Sequence, residues 1–294
     1  MINEVQEPQL ELFKSPTKKK DNSMTFAGNM KMPIHRWFRY SAGFSGEWVR
    51  SLIKEKNAKR VIDPFAGSGT VMVECDIAGI ESFGIESHPF VYKIGQAKLS
   101  WKLDSGDLKK ASDELLKKAS SIKPKQKEYP ELISKCYPPA TLEKLTTLKE
   151  AWLSCDETPE ITNMLWFIIT SILRKTSPVG TASWQYVLPN KSKAKTIDPY
   201  IAFQAKASEI LNDMRIMQKR YTKIGNSEIL KEDARKMDSV PNKWADLIIT
   251  SPPYANNYDY GDATRLEMTF WGEIEKYRDL QLSLIHISEP TRPY

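Results

Sequence analysis

Two short segments, each directly after a run of β-branched apolar residues, constrain the fold of this chain most strongly. The first is Asp63-Pro64-Phe65-Ala66-Gly67-Ser68-Gly69-Thr70, which follows Val61-Ile62, and the second is Thr250-Ser251-Pro252-Pro253-Tyr254, which follows Leu247-Ile248-Ile249. Apolar runs of this kind are typical of buried parallel strands. Because ligands bind beyond the carboxyl ends of the strands in an open α/β sheet, both segments are expected at a ligand-binding edge.

The first segment is the centre of a predicted βαβ unit. A strand over about 60–63 leads into the glycine turn, a helix begins at Thr70 and stops at Gly79, and a second strand ends at Glu86. Upstream, Ser45 is predicted to cap a helix whose apolar face carries Trp48, Val49, Leu52 and Ile53.

The glycines of this turn indicate a nucleotide-like ligand. Gly67 and Gly69 let the backbone approach a ligand closely, because neither carries a Cβ atom, and the next helix points its free N–H groups the same way. A dinucleotide fingerprint would need a third glycine at Met72, and a phosphate-binding loop would need Gly-Lys-Ser/Thr. The turn therefore suits a cofactor without phosphates, and Glu86 is placed either to accept two ribose hydroxyls or to be an ordinary surface acid.

The second segment has the properties needed to hold a flat base by its amino group. Pro252 and Pro253 stiffen the backbone, which leaves the Ser251 hydroxyl and the Pro252 carbonyl fixed as acceptors that polarise an amine. Tyr254 offers a flat face for a base swung out of a duplex. Taken alone, the segment is better interpreted as a turn at the end of a strand, because Ser-Pro and Pro-Pro pairs are common in turns.

Together, the two segments resemble the motifs of DNA amino-methyltransferases, which transfer a methyl group from S-adenosyl-L-methionine to an exocyclic nitrogen of cytosine or adenine. The resemblance implies an α/β fold with a class I methyltransferase (Rossmann-like) sheet, in the strand order 3-2-1-4. It implies catalytic roles for Ser251, Pro252, Pro253 and Tyr254, and cofactor binding by Asp63, Phe65, Gly67, Gly69, Thr70, Glu86, Asp233 and Phe44.

Two of these cofactor assignments have simple alternatives. Asp233 is expected at the end of the third strand, where the resemblance implies contact with the adenine amino group, but it could equally cap a helix. Phe44 lies in the segment 39–45, which resembles one that closes over the methionine end of the cofactor, and it could equally be a core aromatic residue.

The preferred target base follows from what the resemblance implies about one residue, Ser251. A serine at position 251 is commoner in enzymes that act on N4 of cytosine, so that base is preferred over N6 of adenine. Methylation of an RNA base and a non-catalytic S-adenosylmethionine-binding regulator are further alternatives. A carbon-5 methyltransferase would need an activated cysteine, typically after proline, and none of Cys75, Cys136 and Cys155 follows a proline.

Composition and charge bear on partners and location. The formal net charge of +6 suits a polyanionic partner, and the resemblance implies double-stranded DNA and a cognate restriction endonuclease. Three cysteines in no metal-like spacing and only three histidines argue against a metal site. The apolar run 164–173 is too short to span a bilayer, so no membrane association and a cytoplasmic location are expected.

Five regions are predicted along the chain. Residues 1–30 form a disordered tail, 31–99 the cofactor-binding half, and 100–224 a mostly helical insertion that could contact DNA. The insertion contains a core helix with Ile161, Leu165, Ile168 and Ile172, and a basic loop from Ser177 to Pro199 whose Asn190–Lys195 could contact phosphates or be solvated. Residues 225–281 form the catalytic half, expected to be truncated after strand four, and 282–294 resemble a translated sequencing adapter.

Overall fold

A computed structural model describes residues 26–40, 43, 45–124, 128–181, 187–192, 196–251 and 260–274. In these ranges the chain is an α/β protein whose strands are β1 (Arg60–Asp63), β2 (Glu81–Ile85), β3 (Val179–Thr181), β4 (Val187–Ser192), β5 (Ser227–Leu230) and β6 (Leu247–Ile248). Its helices are α1 (Gly46–Lys56), α2 (Thr70–Ala78), α3 (Pro89–Leu99), α4 (Ser105–Ser121), α5 (Glu131–Cys136), α6 (Pro139–Leu153), α7 (Pro159–Thr176), α8 (Pro199–Arg220) and α9 (Tyr260–Trp271).

Four strands form a parallel sheet in the order β5-β2-β1-β6, which is the predicted order 3-2-1-4. In the centre of the sheet, Ile62 of β1 is paired with Phe83 of β2 and with Ile248 of β6. The Asp246 carboxylate accepts hydrogen bonds from the backbone N–H groups of Lys59 and Arg60, and these bonds fix where β6 begins. The carboxyl ends of β1, β2 and β6 therefore lie at one edge of the sheet.

The predicted βαβ unit is confirmed. Helix α2 begins after Gly69, which has a φ of 81°, and ends before Gly79, which has a φ of 71°. Such left-handed conformations favour glycine at helix ends. Helix α1 is capped as predicted, because the Ser45 hydroxyl accepts a hydrogen bond from the N–H of Trp48.

Residues 26–30 are structured, although they fall within the predicted disordered tail 1–30. Phe26–Lys31 form a short 3-10 helix, and a second one spans His35–Trp37. Asn29 is buried, and its Oδ1 accepts a hydrogen bond from the N–H of Gly46 at 2.9 Å. The polar composition predicted disorder here, but the buried hydrogen bond between Asn29 and Gly46 holds this segment against the fold. Residues 1–25 lie outside the described residues.

Between α3 and β5, the described residues form a short 3-10 helix (Ser100–Lys102), the helices α4 to α8 and the paired strands β3 and β4. The predicted core helix is α7, whose residues Ile161, Leu165, Ile168 and Ile172 are all buried. Its Trp166 ring lies 5.3 Å from Phe90 on α3 and 5.9 Å from Trp271 on α9, measured between ring centroids. Helix α7 therefore shares one hydrophobic core with α3, which follows β2, and with α9.

The prediction of an irregular loop from Ser177 to Pro199 is wrong in part. Strands β3 and β4 pair antiparallel in this segment, so Asn190–Ser192 belong to a strand. The register shifts between Val179 and Gly180, opposite the part of β4 that contains Pro189. A proline at a register shift is compatible with pairing, which is why the polar, proline-containing pattern concealed a hairpin. Lys193–Lys195 lie outside the described residues.

The last described helix, α9, follows the second motif. Its residues Leu266, Met268 and Phe270 are buried, and it packs against α5 and α7. In the apolar run of β6, Ile248 is 64% exposed whereas Ile249 is 2% exposed. Within the described ranges, no helix combines the length and apolar character required to cross a membrane. The adapter-like segment 282–294 lies outside them.

Candidate functional site

The two motifs begin at neighbouring strand ends. The N–H of Ile249 donates to the carbonyl of Ile62 at 3.0 Å, so the chains of β1 and β6 leave the sheet side by side. The next residues are Asp63, where the first motif begins, and Thr250, where the second begins. Ser251 is half-buried at this edge. Pro252, Pro253 and Tyr254 lie outside the described residues, so their assignments remain predictions.

The glycine turn is held against β2, and a side chain at Gly67 would be crowded. The N–H of Ala66 donates to the carbonyl of Ile85 at 2.8 Å, and the N–H of Gly69 donates to the carbonyl of Ala66 at 2.9 Å. Gly67 has a φ of +53°, and a Cβ atom there would lie 3.3 Å from Cε1 of Tyr40. Tyr40 belongs to the predicted closing segment 39–45, which therefore contacts the turn. Phe44 of that segment lies outside the described residues.

Glu86 directly follows β2 and is hydrogen-bonded to the turn. Its Oε2 accepts from the N–H of Gly67 at 2.9 Å, and its Oε1 accepts from the N–H of His88 at 2.8 Å. Burial raises the pKa of this carboxyl, and the two backbone N–H groups partly offset the effect. Because a carboxylate oxygen has two lone pairs, each oxygen can still accept a hydroxyl hydrogen bond.

Asp63 supports the turn from the inside. It is 1% exposed, and its Oδ1 accepts from the N–H of Phe65 at 3.0 Å. Burial raises the pKa of the Asp63 carboxyl to about 7, while the Phe65 N–H and the Thr250 side chain lower it and Glu86 raises it further. Thr250 Oγ1 is buried and has no hydrogen-bond partner of good geometry among the described residues, so the Phe65 N–H is the firmer of the two interactions.

The remaining turn residues differ in exposure. Phe65 is 44% exposed, so its ring is available to a bound molecule, whereas Thr70 is buried at the first position of α2. The hydrogen bonds described for Asp63 and Glu86 come from backbone N–H groups. The Glu86 carboxyl beside the turn is an unfavourable neighbour for a phosphate but can accept hydrogen bonds from ribose hydroxyls. S-adenosyl-L-methionine, a sulfonium compound without phosphates, fits this set of groups.

Asp233 does not end the third strand as predicted. Strand β5 ends at Leu230, and Asp233 lies in the following turn. Its Oδ1 accepts from the N–H of Arg235 at 2.9 Å, and the Arg235 guanidinium bonds to both oxygens and lowers the pKa of the carboxyl to about 2. The structure therefore has Asp233 capping a local turn, close to the alternative considered above. Contact with a cofactor remains a prediction.

Sequence reasoning missed three residues near the turn: Gly95 and Lys98 of α3, and His88 directly before this helix. A Cβ atom at Gly95 would lie 3.5 Å from the carbonyl oxygen of Gly67, so the helix backbone approaches the turn closely. Lys98 Nζ donates to Ser68 Oγ at 3.1 Å. His88 is buried, and neither of its ring nitrogens has a partner among the described residues. A glycine inside an apolar helix is a known signal of close approach and could have identified Gly95.

Two further kinds of site were considered by residue type: a metal centre and a reactive cysteine. No group of three or more histidine, cysteine, aspartate and glutamate side chains in the described ranges could hold a metal ion. Cys75 is buried on α2, and burial raises the pKa of its thiol to about 12. A thiol of that pKa carries almost no thiolate near neutral pH, so Cys75 is a packing residue.

Comparison with known proteins supports the resemblance seen in the two motifs. No protein-family model matches the chain. The chain is 26% identical over 294 residues to the type II methyltransferase M.BsoBI of Geobacillus stearothermophilus, covering 88% of this chain and 58% of that protein. It is 28% identical over 283 residues to the type II methyltransferase M.AvaI of Nostoc sp., covering 86% and 57%.

A shorter match is stronger in identity. The chain is 40% identical over 91 residues to the type II methyltransferase M.MjaII of Methanocaldococcus jannaschii, covering 30% of this chain and 17% of that protein. The chain thus spans somewhat more than half the length of the two relatives that match most of it. The resemblance to DNA methyltransferases is confirmed by these relatives.

Proposed function

Because the chain is related to type II methyltransferases over most of its length, we propose that it belongs to a site-specific DNA methyltransferase. The enzyme transfers a methyl group from S-adenosyl-L-methionine to the exocyclic amino group of a flipped base, with N4 of cytosine preferred over N6 of adenine. The observation that carries this proposal is the pairing of Ile62 with Ile248, which supports a common edge for the glycine turn and the Ser251–Tyr254 segment. The chain spans 58% of M.BsoBI, so the proposal concerns the activity of the whole protein.

The cofactor is proposed to lie over the glycine turn. S-adenosylmethionine supplies a methyl group activated by the sulfonium charge. Gly67 and Gly69 permit close backbone approach, Glu86 accepts the ribose hydroxyls, and Phe65 packs its exposed ring against the ligand. Thr70 presents the first turn of α2, and Asp63 holds the turn in place. Asp233 and Phe44 keep their proposed contacts with the adenine amino group and the methionine end.

The second motif is proposed to prepare the amine. An exocyclic amine is a weak nucleophile because its lone pair is delocalised into the ring. The Ser251 hydroxyl and the Pro252 carbonyl accept its N–H hydrogen bonds, which localises the lone pair on nitrogen. Tyr254 stacks on the flipped base. The same acceptors serve cytosine and adenine, so the identity of the base is an outcome of the assay.

Double-stranded DNA is the proposed substrate. The net charge of +6 favours association with phosphates, and Asn190–Ser192 at the end of β4, with the adjoining Lys193–Lys195, are the proposed contacts. A cognate restriction endonuclease and a cytoplasmic location are proposals of the same kind.

Calorimetric titration with S-adenosylmethionine tests the cofactor half of the site. Gly67→Val should abolish binding, because a side chain is strained at positive φ and meets Tyr40. Glu86→Ala should weaken binding by roughly ten- to a hundredfold, the usual effect of losing a hydrogen bond to a charged group. Gly28→Val is the matched control, because nothing lies within 4 Å of a Cβ atom there. Wild-type affinity in both site variants would reject the assignment.

Methylation of duplex DNA, with the nucleosides then identified by mass spectrometry, tests the catalytic half. Tyr254→Ala should lose transition-state stabilisation of about 1–3 kcal/mol through lost stacking, with cofactor affinity unchanged. N6-methyladenine as product would replace the cytosine assignment. Modification of RNA alone, or cofactor binding without any methyl transfer, would favour the two remaining alternatives. An unchanged rate in the variant would make the segment a simple turn.

A further inference from the structure

Lys98 is buried beside the glycine turn. It lies in the last turn of α3 and is 2% exposed. Its Nζ donates a hydrogen bond to Ser68 Oγ at 3.1 Å, and this contact is itself buried. Ser68 stands between the two glycines of the turn. The amine therefore reaches the turn from the side of α3.

Burying a lysine amine costs free energy unless its hydrogen bonds and charge are compensated. Within the described part of the chain, Ser68 Oγ is the only hydrogen-bond partner of Lys98 Nζ. Buried Lys206, in contrast, pairs with Glu209. Burial lowers the pKa of Lys98 to about 7, which agrees with an amine that has no carboxylate partner. What Lys98 adds locally is its hydrogen bond to the turn, which either protonation state of the amine can donate.

His35, whose pKa the charge of Lys98 lowers, belongs to a separate buried cluster of charged groups. Glu74 on α2 is fully buried and accepts hydrogen bonds from His35 and from Arg50 Nε, each at 2.8 Å. Burial lowers the pKa of His35, and the charges of Lys98 and Arg50 lower it further. The lowered pKa of Lys98 is caused by burial, and the polar group that meets its amine is the Ser68 hydroxyl.

Helix α3 holds the turn at two points. Gly95 precedes Lys98 by three residues and so lies on the same helix face. A Cβ atom at Gly95 would lie 3.5 Å from the Gly67 carbonyl oxygen and 3.8 Å from the Gly69 nitrogen. Gly67 and Gly69 have no side chains to restrain their left-handed backbone. The backbone N–H groups of Gly67 and Gly69 are held by Glu86 and Ala66, and the Ser68 side chain adds a further anchor on the side of α3.

We propose that Lys98 is a positioning residue for S-adenosylmethionine binding, which acts through Ser68 to hold the glycine turn in its binding conformation. The inference rests on the proposed function, since it adds a residue to the same site. Lys98 lies behind the turn and holds the Gly67 and Gly69 peptide groups where a ligand meets them.

Two measurements on the full chain test this role in Lys98→Met, Ser68→Ala and the double variant. Titration with S-adenosylmethionine should show each single variant weakened roughly three- to tenfold, the effect of one neutral hydrogen bond. The double variant should be no weaker than the weaker single variant, because both remove the same contact. Hydrogen exchange of the ligand-free protein should be faster over residues 66–70 in all three.

Two controls separate positioning from general stability. Lys98→Gln keeps a donor and should restore most of the affinity and the slow exchange. Lys102→Met removes a lysine that pairs with Asp76 at 3.0 Å, and should change neither cofactor affinity nor exchange of the turn. Multiplying losses in the double variant, or wild-type exchange in Lys98→Met and Ser68→Ala, would overturn the proposal. If the wild-type chain does not bind S-adenosylmethionine, the proposed function fails for this chain, and the exchange data still decide whether Lys98 holds the turn.

Discussion

Asp63 shows how a single buried carboxyl can serve the turn and cost stability at the same time. Its Oδ1 holds the N–H of Phe65, yet burial raises the pKa of the carboxyl to about 7. Between its unfolded and folded pKa values, the folded protein holds the Asp63 proton more tightly than the unfolded chain does. The contribution of this group to the free energy of unfolding is therefore fully present below its unfolded pKa. That contribution is lost as pH rises through the folded pKa.

Asp63→Asn should therefore change the pH dependence of stability. Between about pH 4 and pH 7, the free energy of unfolding of the wild type should fall relative to that of the variant. The difference should amount to a few kcal/mol at most, since one pKa unit is worth about 1.4 kcal/mol. Urea unfolding at a series of pH values measures it. Asparagine keeps an acceptor for the Phe65 N–H, so parallel curves for the two proteins would contradict the raised pKa.

At the level of elements, the glycine turn is held by the packing of α3 on β5. A Cβ atom at Gly95 would lie only 2.4 Å from Cδ1 of Ile229, and a Cβ atom at Gly69 would lie 3.1 Å from the same methyl group. One isoleucine on β5 thus fills the space that both glycines leave. The helix, the strand and the turn are therefore positioned together.

Gly95→Ala should lower the free energy of unfolding by about 1–3 kcal/mol, the usual cost of overpacking. Ile229→Val removes the Cδ1 methyl group, so the Gly95→Ala/Ile229→Val double variant should lose less than the sum of the two single variants. Equilibrium unfolding in urea measures all three. Gly28→Ala, where the added Cβ meets nothing within 4 Å, should stay within about 0.5 kcal/mol of wild type. Additive losses would mean that α3 moves away from β5 instead.

At the level of the whole molecule, Asp213 joins two distant parts of the chain. This fully buried carboxylate on α8 accepts from Arg36 Nε at 2.9 Å and from Trp37 Nε1 at 2.9 Å. Trp37 also packs its ring 6.4 Å from that of Phe167 on α7. The segment that ends at Tyr40, beside the glycine turn, is thereby anchored to the helices between β2 and β5.

Asp213→Ala should cost about 2–4 kcal/mol of unfolding free energy, because it leaves the Trp37 N–H buried without an acceptor and Arg36 without its partner. Asp213→Asn should cost less, since an amide oxygen can still accept from Trp37. Limited proteolysis should cut the first forty residues faster in Asp213→Ala. The exposed pair Lys109–Asp113 supplies the control, because Asp113→Ala should cost no more than about 0.5 kcal/mol. Equal stability of Asp213→Ala and wild type would show that Asp213 does not anchor the segment that ends at Tyr40.

Much of the fold was predictable from local residue patterns. The strand at 60–63, the helix between Gly69 and Gly79, the Ser45 cap and the core helix α7 all follow from periodicity, capping and glycine chemistry, which act over a few residues. The strand order 3-2-1-4 followed from the resemblance and is observed. The predictions failed where a distant partner overrides composition, as at Asn29, or where short strands pair across a proline, as at β3 and β4.

In the candidate site, too, some features are set by the sequence and others only by the folded structure. The types and order of its residues are a property of the chain: glycines that permit a left-handed turn, an acid after the second strand, and an apolar run before Ser251. Their support depends on contacts between residues far apart in sequence, such as Lys98 with Ser68 and Asp213 with Trp37. A local pattern cannot specify such contacts, because burial and the direction of a side chain arise only when the elements pack. Glu86 was recognisable as an acid at a strand end, but its bond to Gly67 exists only because β1 and β2 pair in the folded sheet.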